Sequence, residues 1–277
     1  MQSSGYIQRL KQEKREKSKS MPLSALERSI RLKEPEDFPC EAFINKIGCR
    51  DLDHFIDSMF NQVAELKKRF DPKPDWAILD LGSGVGRVAF PFVEYLSEKG
   101  RYYGVDVWPE GVAWCQKHFS SNFSFTCLES PNNYYFSEGP TQEENHYKIP
   151  FVESNSIDLV FAVSLFSHLV KNDVRAYMNE IGRVLKSGRC CYLTGFLMDK
   201  YFFEYRERTQ NFKRVEEKEK DCYYGYTGQD FFAGFPPAFW QERAEEAGLE
   251  FIGWELGKWA EKPGAASFQD ILLFRKP

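Results

Sequence analysis

No hydrophobic run in this sequence approaches the ~20 residues that a membrane-spanning helix needs, which excludes a membrane partner of that kind. The N-terminal stretch Met1–Ser20 is polar and lysine-rich and lacks the apolar centre of a secretory signal, so it is not read as one. Positive charge is not in surplus. Against 41 acidic residues stand 37 Lys and Arg, a net charge of −4, and no global positive field recruits nucleic acid. Cys-x-x-Cys spacing is missing among the seven cysteines, and the one adjacent pair, Cys190 and Cys191, sits inside an apolar strand pattern. The thiols read as reduced, in a cytoplasmic protein with no metal site. Histidine is scarce, at four residues, so few side chains are available as a neutral-pH base.

Against these absences stands a chain of 277 residues, long enough for one α/β domain with insertions and a sizeable core. Residues 1–35 are charge-rich and read as a tail or solvated helix, with the domain proper over 36–277. Phe55, Met59, Phe60, Val63 and Leu66 recur at helical spacing over residues 50–70, and Pro72 and Pro74 end that helix. From Trp76 onward, strand and helix alternate. Strands are predicted at Ala77–Leu81, Arg101–Val107, Phe123–Leu128, Ile157–Ser164 and Arg189–Leu197. Helices are predicted at Arg87–Ser97, Pro109–Phe119 and Lys171–Leu185, the last closed by a Ser187-Gly188 turn. A further helix, Pro236–Ala247, precedes two strands, Leu249–Leu256 and Ser267–Phe274, with none between them. Insertions interrupt the pattern at about 130–150 and 198–235. Alternating strands and crossover helices imply a parallel sheet covered on both faces. The final strand pair implies an antiparallel addition at the sheet edge.

The first strand feeds Asp80-Leu81-Gly82-Ser83-Gly84-Val85-Gly86-Arg87. Glycines there let the backbone bend sharply and approach a ligand, and the following helix offers free N–H groups. Asp80 can accept hydrogen bonds from an ammonium group, and Asp106, ending the second strand, can take both hydroxyls of a ribose. The glycine pattern alone is weak; its context of strand, turn, helix and a second acidic strand end points to a nucleoside. The spacing is Gly-x-Gly-x-Gly, with Arg87 where a dinucleotide fingerprint has its third glycine, and no Gly-Lys-Ser/Thr follows. Both facts count against nicotinamide dinucleotides and Walker-type nucleotides.

With these residues in place the chain resembles class I S-adenosylmethionine-dependent methyltransferases over roughly residues 40–277. Ile78–Arg87 looks like that family's first motif, and Tyr103-Gly104-Val105-Asp106 its second strand. Ser156–Phe161 looks like its fourth strand, Glu180–Gly188 the helix and turn before its fifth, and Phe268–Leu272 its last strand in bacterial members that modify sugars or other small molecules. The resemblance implies a Rossmann-like seven-stranded sheet, mostly parallel, with an antiparallel edge hairpin and helices on both faces. It implies S-adenosyl-L-methionine as cofactor. Gly82, Ser83, Gly84 and Gly86 would line its methionine and ribose parts and Asp80 would face its amino group. Asp106 would bind ribose, Val107 and Trp108 would lie beside adenine, Glu129 would meet the adenine amino group, and Ser164 would lie below the sulfonium.

Methyl transfer from a sulfonium is an in-line displacement in which alignment alone is worth roughly 7–11 kcal/mol. A hydroxyl acceptor also gains about 10²–10⁴-fold from a base. His168, just past the fourth strand, is the leading candidate for a base or acceptor contact, or else caps or packs the following helix. His146 in the first insertion is a second candidate. His118 lies within a helix and reads as structural, and His54 lies on a helix that can fold over the cofactor as a lid. Twelve aromatics from Tyr201 to Phe239 suggest either a stacking lid for a sugar or aromatic acceptor or a small satellite core. The charged run Arg206–Asp221 reads as a solvated helix face. The expected activity is methyl transfer to a small-molecule or glycan hydroxyl. The alternatives are an NAD-type oxidoreductase and a non-catalytic interaction module, the latter disfavoured by the intact Asp80, Gly82, Gly84 and Asp106. A nucleic-acid amino-methyltransferase would carry an Asn/Asp-Pro-Pro-aromatic motif where Ser164-Leu165-Phe166 stands.

Overall fold

The computed structural model describes residues 23–128, 147–210, 212–227, 230–265 and 267–277. Its architecture is a mixed, mostly parallel seven-stranded sheet flanked by helices, as expected. A second, three-stranded sheet was not anticipated. The chain divides into two compact units, one running to Cys127 and the other from Leu128.

The first unit opens with α1 (Leu23–Arg31), a 3-10 turn at Pro35–Asp37, α2 (Glu41–Lys46) and α3 (Leu52–Phe70). Asp51 caps α3 by accepting the His54 N–H at 2.7 Å, and Asp71 ends it in the left-handed conformation at φ 43°. Its buried face is Phe55, Ile56, Met59, Phe60, Val63 and Leu66, the predicted stripe. Leu26 and Ile30 of α1 join the same core as Phe38, Ile44, Phe55 and Phe90, so the helix at 23–31 is packed rather than solvated. The strands β1 (Ala77–Leu81), β2 (Arg101–Asp106) and β3 (Phe123–Cys127) lie parallel in the order β3-β2-β1. Between them run α4 (Ala89–Tyr95) and α5 (Pro109–His118).

The second unit holds β4 (Ile157–Ala162), a 3-10 turn at Phe166–His168, α6 (Lys171–Val184) and β5 (Leu185–Gly195). Beyond them come α7 (Lys200–Arg208), β6 (Glu216–Glu219), β7 (Cys222–Thr227), β8 (Asp230–Gly234), α8 (Pro237–Glu246), β9 (Glu250–Glu255) and β10 (Asp270–Arg275). The main-sheet order here is β4-β5-β10-β9, with β4 and β5 parallel and β10 antiparallel to both its neighbours, the expected edge hairpin.

Two expectations need correction. Leu185 already pairs with Ile157, so the Ser187-Gly188 turn does not precede β5 but bulges out of it, with Gly188 at φ 77°. The bulge is tied to the chain's end by the Gly188 N–H donating to the Lys276 carbonyl at 2.7 Å. The charged run Arg206–Asp221 is only part helix: α7 stops at Arg208 and Glu216–Glu219 is an exposed edge strand. The insertion at 198–235 folds as α7 plus the sheet β6-β7-β8. Met198, Phe202, Phe212, Val215 and Phe232, with Trp259, bury into their own satellite core.

That insertion is anchored by one buried carboxylate. Asp270, fully buried, accepts from the Leu197 N–H at 2.8 Å, the Gly257 N–H at 2.7 Å and the Trp259 indole at 2.7 Å. The Lys262 ammonium lies 3.0 Å away and bridges to Asp199, which also caps α7. Asp270→Ala should strand a buried ammonium and cost about 3–5 kcal/mol, read as a lowered Tm, whereas a surface change such as Glu216→Ala should leave Tm nearly unmoved.

Candidate functional site

The glycine bend is built from β1 and β2. Four of five residues of β1 are buried, and they deliver Asp80 and Leu81 to the strand's end. The N–H groups of Gly82 and Ser83 both donate to the Val105 carbonyl, at 2.8 and 3.0 Å, and the Gly86 N–H donates to the Ser83 carbonyl at 2.8 Å. Gly82, Gly84 and Gly86 stand at φ 75°, 55° and 72°, a region that other residues enter only with strain. A Cβ on Gly84 would lie 3.0 Å from Ile47, and one on Gly86 would lie 2.7 Å from the Phe119 ring. Gly84 and Gly86 are therefore required both by dihedral angle and by close approach, and Gly82 by dihedral angle.

The helix after the bend begins at Ala89 rather than Arg87. Positive φ at Gly84 and Gly86 prolongs the irregular backbone. Arg87 instead turns its guanidinium to Ser58 Oγ at 3.2 Å, on α3. This is the position at which a dinucleotide fold needs a glycine for helix–strand packing.

Asp106 closes the bend. One carboxylate oxygen accepts the Gly84 N–H at 2.6 Å and the other the Trp108 N–H at 2.9 Å. Burial raises its pKa while these backbone donors and that of Val107 oppose the rise. Each oxygen keeps a second lone pair. Val107 and Trp108 are half-buried, and the Trp108 ring is gripped by Phe43, whose centroid is 4.8 Å away edge-on, and by the Lys46 ammonium 4.3 Å from its centroid. Phe43, Lys46 and Ile47 were not singled out from sequence. Their i, i+3, i+4 spacing was the available signal, and the brevity of α2 hid it.

Asp80 is 3 % exposed and accepts the Tyr102 hydroxyl at 2.6 Å on one oxygen. Burial pushes its pKa up to about 7, the Tyr102 hydrogen bond and Arg87 pull it down, and the Asp106 charge pushes it up. The Ser83 hydroxyl is buried with no hydrogen-bond partner among the described residues. An orphaned donor beside two carboxylates with unspent lone pairs, on backbone bare of Cβ atoms, suits a ligand carrying hydroxyls and an ammonium group.

In the second unit, Ser164 lies beyond the end of β4 at Ala162, not within it, at φ 61°. Its N–H donates to Thr194 Oγ1 at 2.8 Å and its hydroxyl to Gln269 Oε1 at 3.2 Å. His168 is half-buried, and its Nδ1 lies 2.8 Å from the Phe231 carbonyl. A carbonyl only accepts, so Nδ1 carries the proton and Nε2 the lone pair of the neutral ring. Burial lowers the His168 pKa against the pull of that carbonyl and Asp230. His118 stacks on Trp114 at 4.2 Å, consistent with a structural role. His54 accepts the Arg50 N–H at 3.1 Å on the first turn of α3. Glu129 and His146 lie outside the described residues.

Comparison with known proteins now bears on this geometry. Residues 79–193 match the family described as methyltransferase domain. Over that stretch the chain is similar to a methyltransferase domain. Its fold is similar to that of a Pyrococcus horikoshii protein at 14% identity and TM-score 0.53, over 82% of this chain and 93% of that one. A putative S-adenosylmethionine-dependent methyltransferase of Listeria monocytogenes aligns at 10% identity and TM-score 0.51, over 77% and 97% of the two chains. A Haloferax volcanii complex of the Trm112 activator with a putative methyltransferase aligns at 15% identity and TM-score 0.50, over 81% and 93%. No helix among the described residues is long and apolar enough to cross a membrane.

Asp106→Ala removes the acceptors for the Gly84 and Trp108 amides and, where the resemblance puts a ribose, its acceptor as well. It should abolish calorimetrically measurable binding of S-adenosylhomocysteine while the circular-dichroism spectrum stays native; undiminished affinity would remove Asp106 from the site.

Proposed function

We propose that this enzyme methylates a hydroxyl oxygen of a small-molecule or sugar acceptor, with His168 as the base. The observation that carries this is the His168–Phe231 hydrogen bond, which fixes the tautomer able to receive a proton at Nε2. The lowered pKa keeps that nitrogen unprotonated at neutral pH. When bound, S-adenosylmethionine supplies an electrophilic methyl carbon on a sulfonium.

The chain's own residues then have separable tasks. Asp80 faces the ammonium group, Gly82, Ser83, Gly84 and Gly86 let the backbone lie against methionine and ribose, and Asp106 takes the ribose hydroxyls with its remaining lone pairs. Val107 and the clamped Trp108 flank adenine, and Phe43, Lys46 and Ile47 add a roof on that side. Ser164 belongs to the reacting end, where its left-handed backbone is held by Thr194. Glu129 remains the residue that the resemblance sets against the adenine amino group, and His146 the second candidate base; both lie outside the described residues. Of the insertion's aromatics, Phe202, Phe212 and Phe232 are spent on the satellite core, leaving Phe203 and Tyr226, at 39% and 49% exposure, as acceptor-stacking surfaces. The seven cysteines are all unpaired, which supports a cytoplasmic setting.

A mass-spectrometric screen of sugar and natural-product libraries for the gain of one CH₂ unit tests the acceptor class. With an acceptor in hand, His168→Ala should lower kcat by about 10²–10⁴-fold and leave S-adenosylhomocysteine affinity nearly unchanged. In the unaltered enzyme kcat should hold down to a pH below the ordinary imidazole range and fall only where Nε2 becomes protonated. An unaltered rate in the variant, or a preference for nitrogen acceptors, would end this proposal.

A further inference from the structure

Tyr102 is the second residue of β2, paired with Ile78 of β1, and is fully buried. Its ring stacks on Phe123 at 5.1 Å and packs against Phe92 and Phe125 at 5.8 and 6.0 Å. Phenylalanine would satisfy that apolar setting without a hydroxyl that must find a partner. The hydroxyl is spent on Asp80, at 2.6 Å. Burial and Asp80 hold the phenol's pKa well above its ordinary value, so the proton stays on Tyr102 and the bond runs from phenol to carboxylate.

We propose that Tyr102 is a positioning residue that presents Asp80 as a carboxylate to the cofactor's ammonium group, and that cofactor binding thereby releases a proton from Asp80. This rests on the proposed contact between Asp80 and the ammonium group. Asp80 has one oxygen taken by Tyr102, and the other accepts no hydrogen bond from the described residues. The charged and titratable groups around it are few: Tyr102 and Asp106 from β2, Arg87 after the glycine bend, and the Cys115 thiol from α5. Burial and Asp106 favour the protonated acid; Arg87 and Tyr102 favour the ion. An arriving ammonium tips this balance to the ion. The sign follows: a carboxyl titrating at about 7 is mostly protonated below that pH and must lose its proton to form the ion pair. At the alkaline end the ligand's own α-amino group loses its charge, so affinity is greatest between the two limits.

The test uses calorimetric titration of the full chain with S-adenosylhomocysteine and, in parallel, 5′-methylthioadenosine, which keeps the nucleoside and thioether but lacks the amino-acid end. Titrations run from about pH 6 to pH 8 in buffers of differing ionisation enthalpy. For the unaltered protein, S-adenosylhomocysteine affinity should fall towards tenfold per unit below the midpoint, with close to one proton released at the acid end, while 5′-methylthioadenosine affinity stays flat. Tyr102→Phe should raise the S-adenosylhomocysteine midpoint by about one unit and leave 5′-methylthioadenosine affinity unchanged. Asp80→Asn should bind S-adenosylhomocysteine weakly and without the acid limb, which keeps the proposal testable even where Tyr102→Phe folds poorly. An unmoved midpoint in Tyr102→Phe, an acid limb that survives Asp80→Asn, or a pH dependence shared by both ligands overturns the proposal. Failure of the unaltered protein to bind either ligand would instead overturn the cofactor site.

Discussion

The Val105–Asp106 end of β2 is the support on which the glycine bend depends. A loop with three residues at positive φ has no reason to hold one shape in isolation, because glycine loses more backbone freedom on ordering than any other residue. Here the bend is sewn to the neighbouring strand at three successive N–H groups: Gly82 and Ser83 to the Val105 carbonyl, and Gly84 to the Asp106 carboxylate. Removing any Cβ from the bend lets its backbone lie close to a ligand, and those bonds prevent the freed backbone from wandering. Hence the acidic residue at the second strand end anchors the backbone opposite it, and on the proposed reading the same carboxylate also accepts from a ribose.

The second unit repeats this logic with a different donor set. Asp270 gathers two backbone amides, an indole and an ammonium around one buried carboxylate. It thereby joins the first residues of the insertion, the Gly257–Lys262 loop and the start of β10. A buried charge is tolerable only when its lone pairs are spent on fixed donors. Both units therefore secure their irregular segments through a carboxylate at a strand end, where the regular ladder has stopped supplying partners.

Much of this architecture was legible in the sequence because the elements involved are periodic. The stripe Phe55–Leu66, the apolar run Ala77–Leu81 and the two final strands each carry one unambiguous period; all but the last appear within a residue or two of their expected bounds, and the last begins three residues late, at Asp270, after a 3-10 turn at Lys258–Ala260. What escaped was non-periodic. The start of α4 moved from Arg87 to Ala89 because left-handed glycines prolong a turn that helix propensity alone cannot see. Ser187-Gly188 reads as a helix stop, yet Leu185 pairs before it, and only strand register shows that the glycine serves a bulge. The Arg206–Asp221 charges suit any solvated surface, and an exposed edge strand is one. Tyr102 is indistinguishable from a core aromatic until its hydroxyl is found against Asp80, 22 positions earlier.

The two carboxylates of the first unit differ in a way that assigns them different work. Burial raises the pKa of both. Asp106 meets the backbone N–H groups of Gly84, Val107 and Trp108, donors that cannot rotate away and that are part of the fold's own connectivity. Its position is therefore built into the bend whether or not a ligand is there. Asp80 has one phenol as its hydrogen-bond donor, and Asp106 nearby opposes its ionisation. One anion already fixed in a confined space makes the second costly, so the second awaits a cation. A ligand with hydroxyls at one end and an ammonium group at the other meets these demands separately: hydroxyls suit the carboxylate that is already satisfied, and the ammonium suits the one that is not. A neutral nucleoside would satisfy only the first. On the proposed reading, the asymmetry in hydrogen-bond supply between two aspartates one strand apart favours a ligand with an amino-acid end, ahead of any contact with the sulfur.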